Sequence, residues 1–287
     1  LIVLKVLVVL LWPVGIAAIL VVAALLARRA RGRPAPAAAS ENGHHDLLVG
    51  VRGAWPSVIG MLLILLAGAV AVYALTCLLG LLVVHVGPGI DKPIYNWMLH
   101  HRVHSWKVIM NRVTKVGNTW TTWGAAVTGA VCLTAFYRTH KWLPAVAVGA
   151  AIFIDHYLTL AVRHTFHRVG PPDSLGGTFP SGGCDRIIVF YGLIAYLIWR
   201  EVSGTKRAAI WSAGVVAALA FSEGYSRGYL TLHWFTDILS GFIYGSLILA
   251  VFIVTIRVVV GPGRRRWTDA RPDLPAALPG QQAPTLQ

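Results

Sequence analysis

Residues 226–237 read SRGYLTLHWFTD, placing Ser226 and Arg227 five residues ahead of His233, with Asp237 three residues beyond that histidine. A guanidinium clamps phosphate oxygens, an imidazole attacks phosphorus, and a carboxylate four residues on along a helix holds that imidazole in one tautomer. The spacing therefore reads as a phosphate clamp, a nucleophile at His233 and its orienter at Asp237. Taken alone, a His and an Asp four apart on a polar helix end also fit a surface hydrogen bond.

Upstream, Phe179-Pro180-Ser181-Gly182-Gly183 opens an apolar run. A Ser-Gly step at the start of such a helix offers backbone N–H groups and a hydroxyl to an anion. The two segments together resemble the type 2 phosphatidic acid phosphatase (PAP2) family, membrane phosphatases that share a site with vanadium haloperoxidases. The resemblance spans about residues 56 to 260, with motif order and spacing kept. The third family motif is complete at Ser226, Arg227, His233 and Asp237. The second is present as Pro180, Ser181 and Gly182, with Gly183 where the family has His. The first is altered: ahead of Pro171, Arg163 stands at the Lys position and Gly170 at the Arg position, and Arg168 lies within reach of the same phosphate.

The resemblance implies an all-α integral membrane protein, a six-helix bundle with one extra N-terminal transmembrane helix. It implies that His233 attacks the terminal phosphorus to give a phosphohistidine and that Asp237 orients the ring. Arg227, Arg163 and Arg168 stabilise the equatorial oxygens, Ser181 and the Gly182 and Gly183 amides cradle the same group, and Ser226 completes the phosphate-binding set. No cofactor or metal is called for. Gly183 removes the residue that protonates the departing oxygen, a contribution of about 10²–10⁴-fold. A diphosphate escapes much of that loss because its leaving group is a phosphate with a second pKa of about 6. The expected substrate is thus a polyprenyl diphosphate or similar lipid phosphate anhydride. Candidate replacement acids are His164, His167, Asp185 and Glu223, although Glu223, four residues before Arg227, also reads as that arginine's partner.

Composition sets the same class. Of 287 residues, 56% are hydrophobic and 13% charged, with a mean hydropathy of +0.65, against about 25% charged in soluble domains. Apolar runs fall at about 1–27, 56–86, 121–137, 142–162, 184–199, 207–222 and 235–260, giving seven candidate spans. The first is too long for a signal-peptide core and is expected to be a retained helix. The chain opens on Leu1 rather than Met, which leaves its start open.

The net charge of +14 does not mark a nucleic-acid binder, because the basic residues sit at span ends rather than among aromatics on a soluble face. Arg28 to Arg33, Arg138 with Lys141, Arg200 with Lys206 and Arg207, and Arg264 to Arg266 all fall on one side. With that side cytoplasmic, the motif segments emerge on the outer face of the plasma membrane, and the Arg- and Ala-rich composition points to a bacterial genome. Residues 28–55 read as a basic Pro/Ala-rich cytoplasmic linker, 56–260 as the membrane domain with an interfacial helix near 91–118, and 261–287 as a disordered cytoplasmic tail.

Three cysteines give no disulfide framework, and Cys184 lacks the compact arginine-terminated loop of a cysteine phosphatase. His100 and His104 lack a third metal ligand. Asp155 and His156 lie inside a span, where ionisable groups line a polar path or pair across helices. Gly241 and Gly245 form a small-xxx-small pair suited to close packing within the bundle. Three other readings stay open: a silent relative that binds lipid phosphate, a phosphotransferase, and a transporter built around Asp155. The partners implied are the bilayer and a lipid phosphate; no protein partner is legible.

Overall fold

The computed structural model describes residues 43–261, apart from 138, 139, 173, 175 and 176. The expected first span at 1–27 and the tail beyond Gly261 lie outside these residues. Seven helices make up the described chain: α1 Gly43–His100, α2 His104–Val113, α3 Thr119–Phe136, α4 Trp142–Phe166, α5 Gly182–Ser203, α6 Lys206–Tyr229 and α7 Phe235–Val260. The one β feature among the described residues is an isolated bridge between Val169 and Gly177. The protein is all-α.

Five of the helices are long and apolar enough to cross a membrane: α4 to α7, and α1 from Val58 onward. The run expected to span at 121–137 is helix α3, which stays outside that set because Thr119, Trp120, Thr121, Thr122 and Trp123 crowd its first turns with polar and amphipathic side chains. Helix α5 is the hub. In its most apolar stretch 67% of residues are buried, against 33% or less in the other four spans. Leu193 and Leu197 of α5 pack with Tyr244, Ile248 and Phe252 of α7, with Met61 and Leu65 of α1, and with Ala147 and Ala151 of α4. Two π-helical turns, Ile187–Tyr191 and Trp199–Ser203, interrupt α5; such turns often sit at functional sites.

Helix α1 corrects two expected boundaries. It begins at Gly43, inside the stretch read as linker, and it runs on to His100 through Pro88 and Pro93. The interfacial helix near 91–118 is therefore not one element: its first half continues α1, residues 101–103 break the chain, and α2 follows. Asp91 explains why the helix stays ordered there, since its buried carboxylate receives the Thr236 N–H at 2.9 Å and the Thr236 hydroxyl at 2.7 Å.

The glycine pair packs inside the bundle. A side chain at Gly241 would meet the Ser181 carbonyl oxygen at 2.6 Å, and one at Gly245 would meet the Asp185 backbone at 2.8 Å. Small residues on α7 thus let the start of α5 lie against it, and Ser181 N–H bonds the Asp237 carbonyl at 3.1 Å. At this end of the bundle the C-termini of α4 and α6 meet the N-termini of α5 and α7. At the other end Arg200 donates to the carbonyls of Val260 and Gly261, and the Tyr137 hydroxyl donates to that of Leu197.

Candidate active site

The turn between α6 and α7 places the histidine. Three backbone bonds close the end of α6, from Leu230, Thr231 and Leu232 N–H to Ser226, Gly228 and Arg227 carbonyls. They put Thr231 at φ +54, a left-handed conformation that a β-branched residue adopts only under constraint. Arg102, from the break after α1, supplies part of it by bonding the Thr231 hydroxyl and, at 3.1 Å, the Tyr229 carbonyl.

His233 follows within two residues, its two ring nitrogens differently engaged. Nδ1 lies 3.0 Å from the Thr178 carbonyl and Nε2 lies 3.0 Å from Arg227 Nη1. A carbonyl only accepts and a guanidinium only donates, so the proton sits on Nδ1 and the Nε2 lone pair faces Arg227. Burial first, then the neighbouring Arg227, hold the imidazole pKa well below the ordinary histidine range, against the opposing pull of the Thr178 carbonyl. The ring is held in its neutral form at neutral pH.

Three arginines converge in front of it. Arg163 of α4 and Arg186 of α5 flank Gly182, where a side chain would meet Arg186 Nη1 at 2.9 Å and Arg163 Nη2 at 3.0 Å. The Arg227 guanidinium lies over Gly183, in the space a side chain there would need. Glu223 fixes Arg227 through a 2.6 Å bond to its Nε and also accepts from Gly117 N–H. That is the partnership read from the four-residue spacing, so Glu223 holds the clamp. The Arg163 Nε is buried without a partner. Deeper in the bundle, Asp155 and Asp185 are buried with unpartnered carboxyl oxygens.

Three expected roles change. Asp237 does not bond the histidine ring; its carboxylate receives Arg168 and, at 2.5 Å, the Thr178 hydroxyl. The ring of His233 is held instead by the Thr178 carbonyl, because the helix start at Phe235 turns Asp237 toward the Thr178 hydroxyl and Arg168 rather than toward the ring. Arg168, expected at the phosphate, is locked between Asp237 and Asp91, bonding the latter at 2.5 Å, with the Thr236 hydroxyl at 3.0 Å. The Ser226 hydroxyl donates to the Glu223 carbonyl at 2.7 Å and so serves the helix. Ser181 is buried beside the pocket, its hydroxyl on Cys184 Sγ at 3.4 Å. Gly170 has no room for an arginine, since any side chain there would strike Ser174 and Thr178.

Reading the sequence missed Arg186, Thr178 and Asp91. Arg186 carried a signal, one helical turn after Gly182 at the head of α5. Asp91 carried a weaker one, as the one acid of the apolar stretch Val58–His100. Thr178 carried none, because its main contribution is a backbone carbonyl.

Comparison with known proteins agrees with the motif reading. Residues 153–260 match the PAP2 superfamily. That stretch contains His233, Thr178, Arg163, Arg186, Arg227 and Glu223, while the supporting Asp91, Arg102 and Gly117 lie ahead of it. Over 102 residues the chain is 38% identical to phosphatidylglycerophosphatase B of Bacillus subtilis (strain 168), an alignment covering 33% of this chain and 49% of that relative. The chain thus aligns with about half the length of that curated protein. The crystal structure of a transmembrane PAP2-type phosphatidylglycerolphosphate phosphatase from Bacillus subtilis superposes with a TM-score of 0.59 at 20% identity, covering 69% of this chain and 98% of the other. At that identity the likeness is one of fold, and the fold is the PAP2 membrane bundle.

Proposed function

We propose that this chain is a multi-pass bacterial plasma-membrane phosphatase with an outward-facing site, acting on lipid phosphate anhydrides such as polyprenyl diphosphates through a phosphohistidine at His233. The observation that carries the proposal is the state of His233, with its proton held on Nδ1 by Thr178 and its Nε2 lone pair beside Arg227. A protein that only bound phosphate would not need a neutral, oriented imidazole.

In the proposed reaction the terminal phosphoryl group sits among Arg163, Arg186, Arg227 and the Gly182 and Gly183 amides. His233 Nε2 forms the N–P bond as the P–O bond to the leaving group breaks, and the guanidiniums carry the charge on the equatorial oxygens. The leaving group departs as a lipid monophosphate anion. Water then attacks phosphorus, the N–P bond breaks, and inorganic phosphate leaves with the proton released to solvent. Because Arg227 covers Gly183, nothing there can act as an acid for an alkoxide. This favours anhydrides over phosphate monoesters.

Two features support a lipid substrate met from the outer face. An apolar cavity of about 270 Å³ touches His233 and is lined by Tyr95, Met98, Phe221, Trp234 and Phe242. The basic residues Lys206 and Arg257 cap the bundle end opposite the site, consistent with a cytoplasmic position for that end.

The test is phosphate release from a polyprenyl diphosphate and from phosphatidic acid by purified protein and by His233→Ala, with trapping of an acid-labile, alkali-stable phosphoprotein. Release from the diphosphate, lost with His233, is expected. Monoester preference would refute the anhydride assignment, and lipid phosphate binding without release by the unmutated protein would make it a silent relative.

A further inference from the structure

Beyond the cavity at His233 the bundle holds further space. A second, larger cavity of about 800 Å³ lies between α5, α6 and α7 and runs to Lys206 and Arg257. Phe221 and Phe242 line both cavities. From Phe235 to Arg257 helix α7 rises roughly 33 Å, so the joined tract crosses about the full hydrocarbon thickness of a bilayer, near 30 Å. One lipid tail of ordinary length occupies about half of that thickness.

Resting on the proposed reaction at His233, we infer that this tract is a tail groove for a long-chain polyprenyl substrate, with Phe221 and Phe242 as the constriction beyond which only a long tail extends. Three observations carry it. The groove adjoins the cavity at His233, sharing Phe221 and Phe242 with it. Small residues, Ala213 and Ala217 of α6, line it. And Gly224 gives the Phe242 ring its place, since a side chain at Gly224 would meet Phe242 Cζ at 2.5 Å. Phe221 is 68% exposed, so the constriction opens sideways to the bilayer and a tail can enter without threading.

The experiment compares C15 and C55 polyprenyl diphosphates on the unmutated protein, Ala213→Trp and Ala217→Trp. The indoles fill the groove roughly 21 Å (position 213) and roughly 15 Å (position 217) along α6 from Arg227. The expected result is a KM for the C55 substrate raised about tenfold, with kcat and the C15 KM within about twofold. Equal effects on both lengths, or on neither, overturn the groove. A C55 polyprenyl monophosphate with a photoreactive tail, applied to otherwise unmutated His233→Ala, separates the two proposals. Label between Ala209 and Phe221, competed by unlabelled C55 monophosphate, supports the groove even if no phosphate release occurs with active protein. Label elsewhere, or competed by phosphatidylglycerol instead, defeats the groove even if release is robust.

Discussion

Thr178 joins His233 to Asp237: its carbonyl accepts from His233 Nδ1 at 3.0 Å and its hydroxyl donates to Asp237 at 2.5 Å. The carboxylate of the 233/237 pair thus acts on the imidazole through one intervening residue, and Arg168 and Asp91 hold the carboxylate in turn. The chain of contacts runs from α1 to the His233 ring.

Thr178→Val keeps the carbonyl and removes the hydroxyl, so the ring retains its tautomer while Asp237 loses a donor. The expected outcome is a 10- to 100-fold fall in kcat with KM changed little, the scale that slight misplacement of a reacting group produces. Thr178→Ser should recover most of the rate. Steady-state phosphate release on a diphosphate measures both.

Gly183→Ala puts a methyl group where the Arg227 guanidinium now lies. The guanidinium must shift away from both His233 and the phosphate position. Activity should drop at least tenfold, and Gly183→His should not restore a general acid because it demands still more of that space. A monoesterase gained by Gly183→His would show that Arg227 vacates the site readily.

The pH profile follows from His233. Protonation of Nε2 destroys the nucleophile, and burial together with Arg227 moves that event well below the ordinary histidine range. The acid limb of kcat/KM for the free enzyme should therefore fall well under pH 6.5, the unperturbed value. For stability the sign is the same. The unfolded chain binds a proton near pH 6.5 that the folded site refuses, so this group's contribution is full above that pH and declines as pH falls toward the folded pKa. An acid limb centred on pH 6.5 would contradict the buried, arginine-flanked ring.

Asp91→Asn removes one of the two carboxylates that hold Arg168, whose side chain is 11% exposed against 2% for Asp91. Breaking such a buried pair costs on the order of 3 kcal/mol. The expected result is a lowered Tm in detergent and weaker activity, since Asp237 and Thr178 lose their support together. A Tm unchanged within error would reduce Asp91 to a helix-end hydrogen bond.

Sequence alone sufficed for the membrane class and for the motif-bearing helix ends, His233 among them. Apolar length is a one-dimensional property, and the order Arg163, Ser181-Gly182-Gly183, Arg227, His233 survives any arrangement of helices that brings those ends together. Its spacing also paired Glu223 with Arg227 and Gly241 with Gly245, because neighbours one turn apart on a helix are fixed by the helical repeat. What tertiary structure decided were the contacts between elements. A backbone carbonyl at Thr178 has no residue signature, so the ring's true orienter was invisible. Arg168 and Arg186 look alike as letters. Only the approach of α1 with Asp91 turns the first into a structural ion pair, and only the turn of α5 past Gly182 turns the second toward the anion pocket.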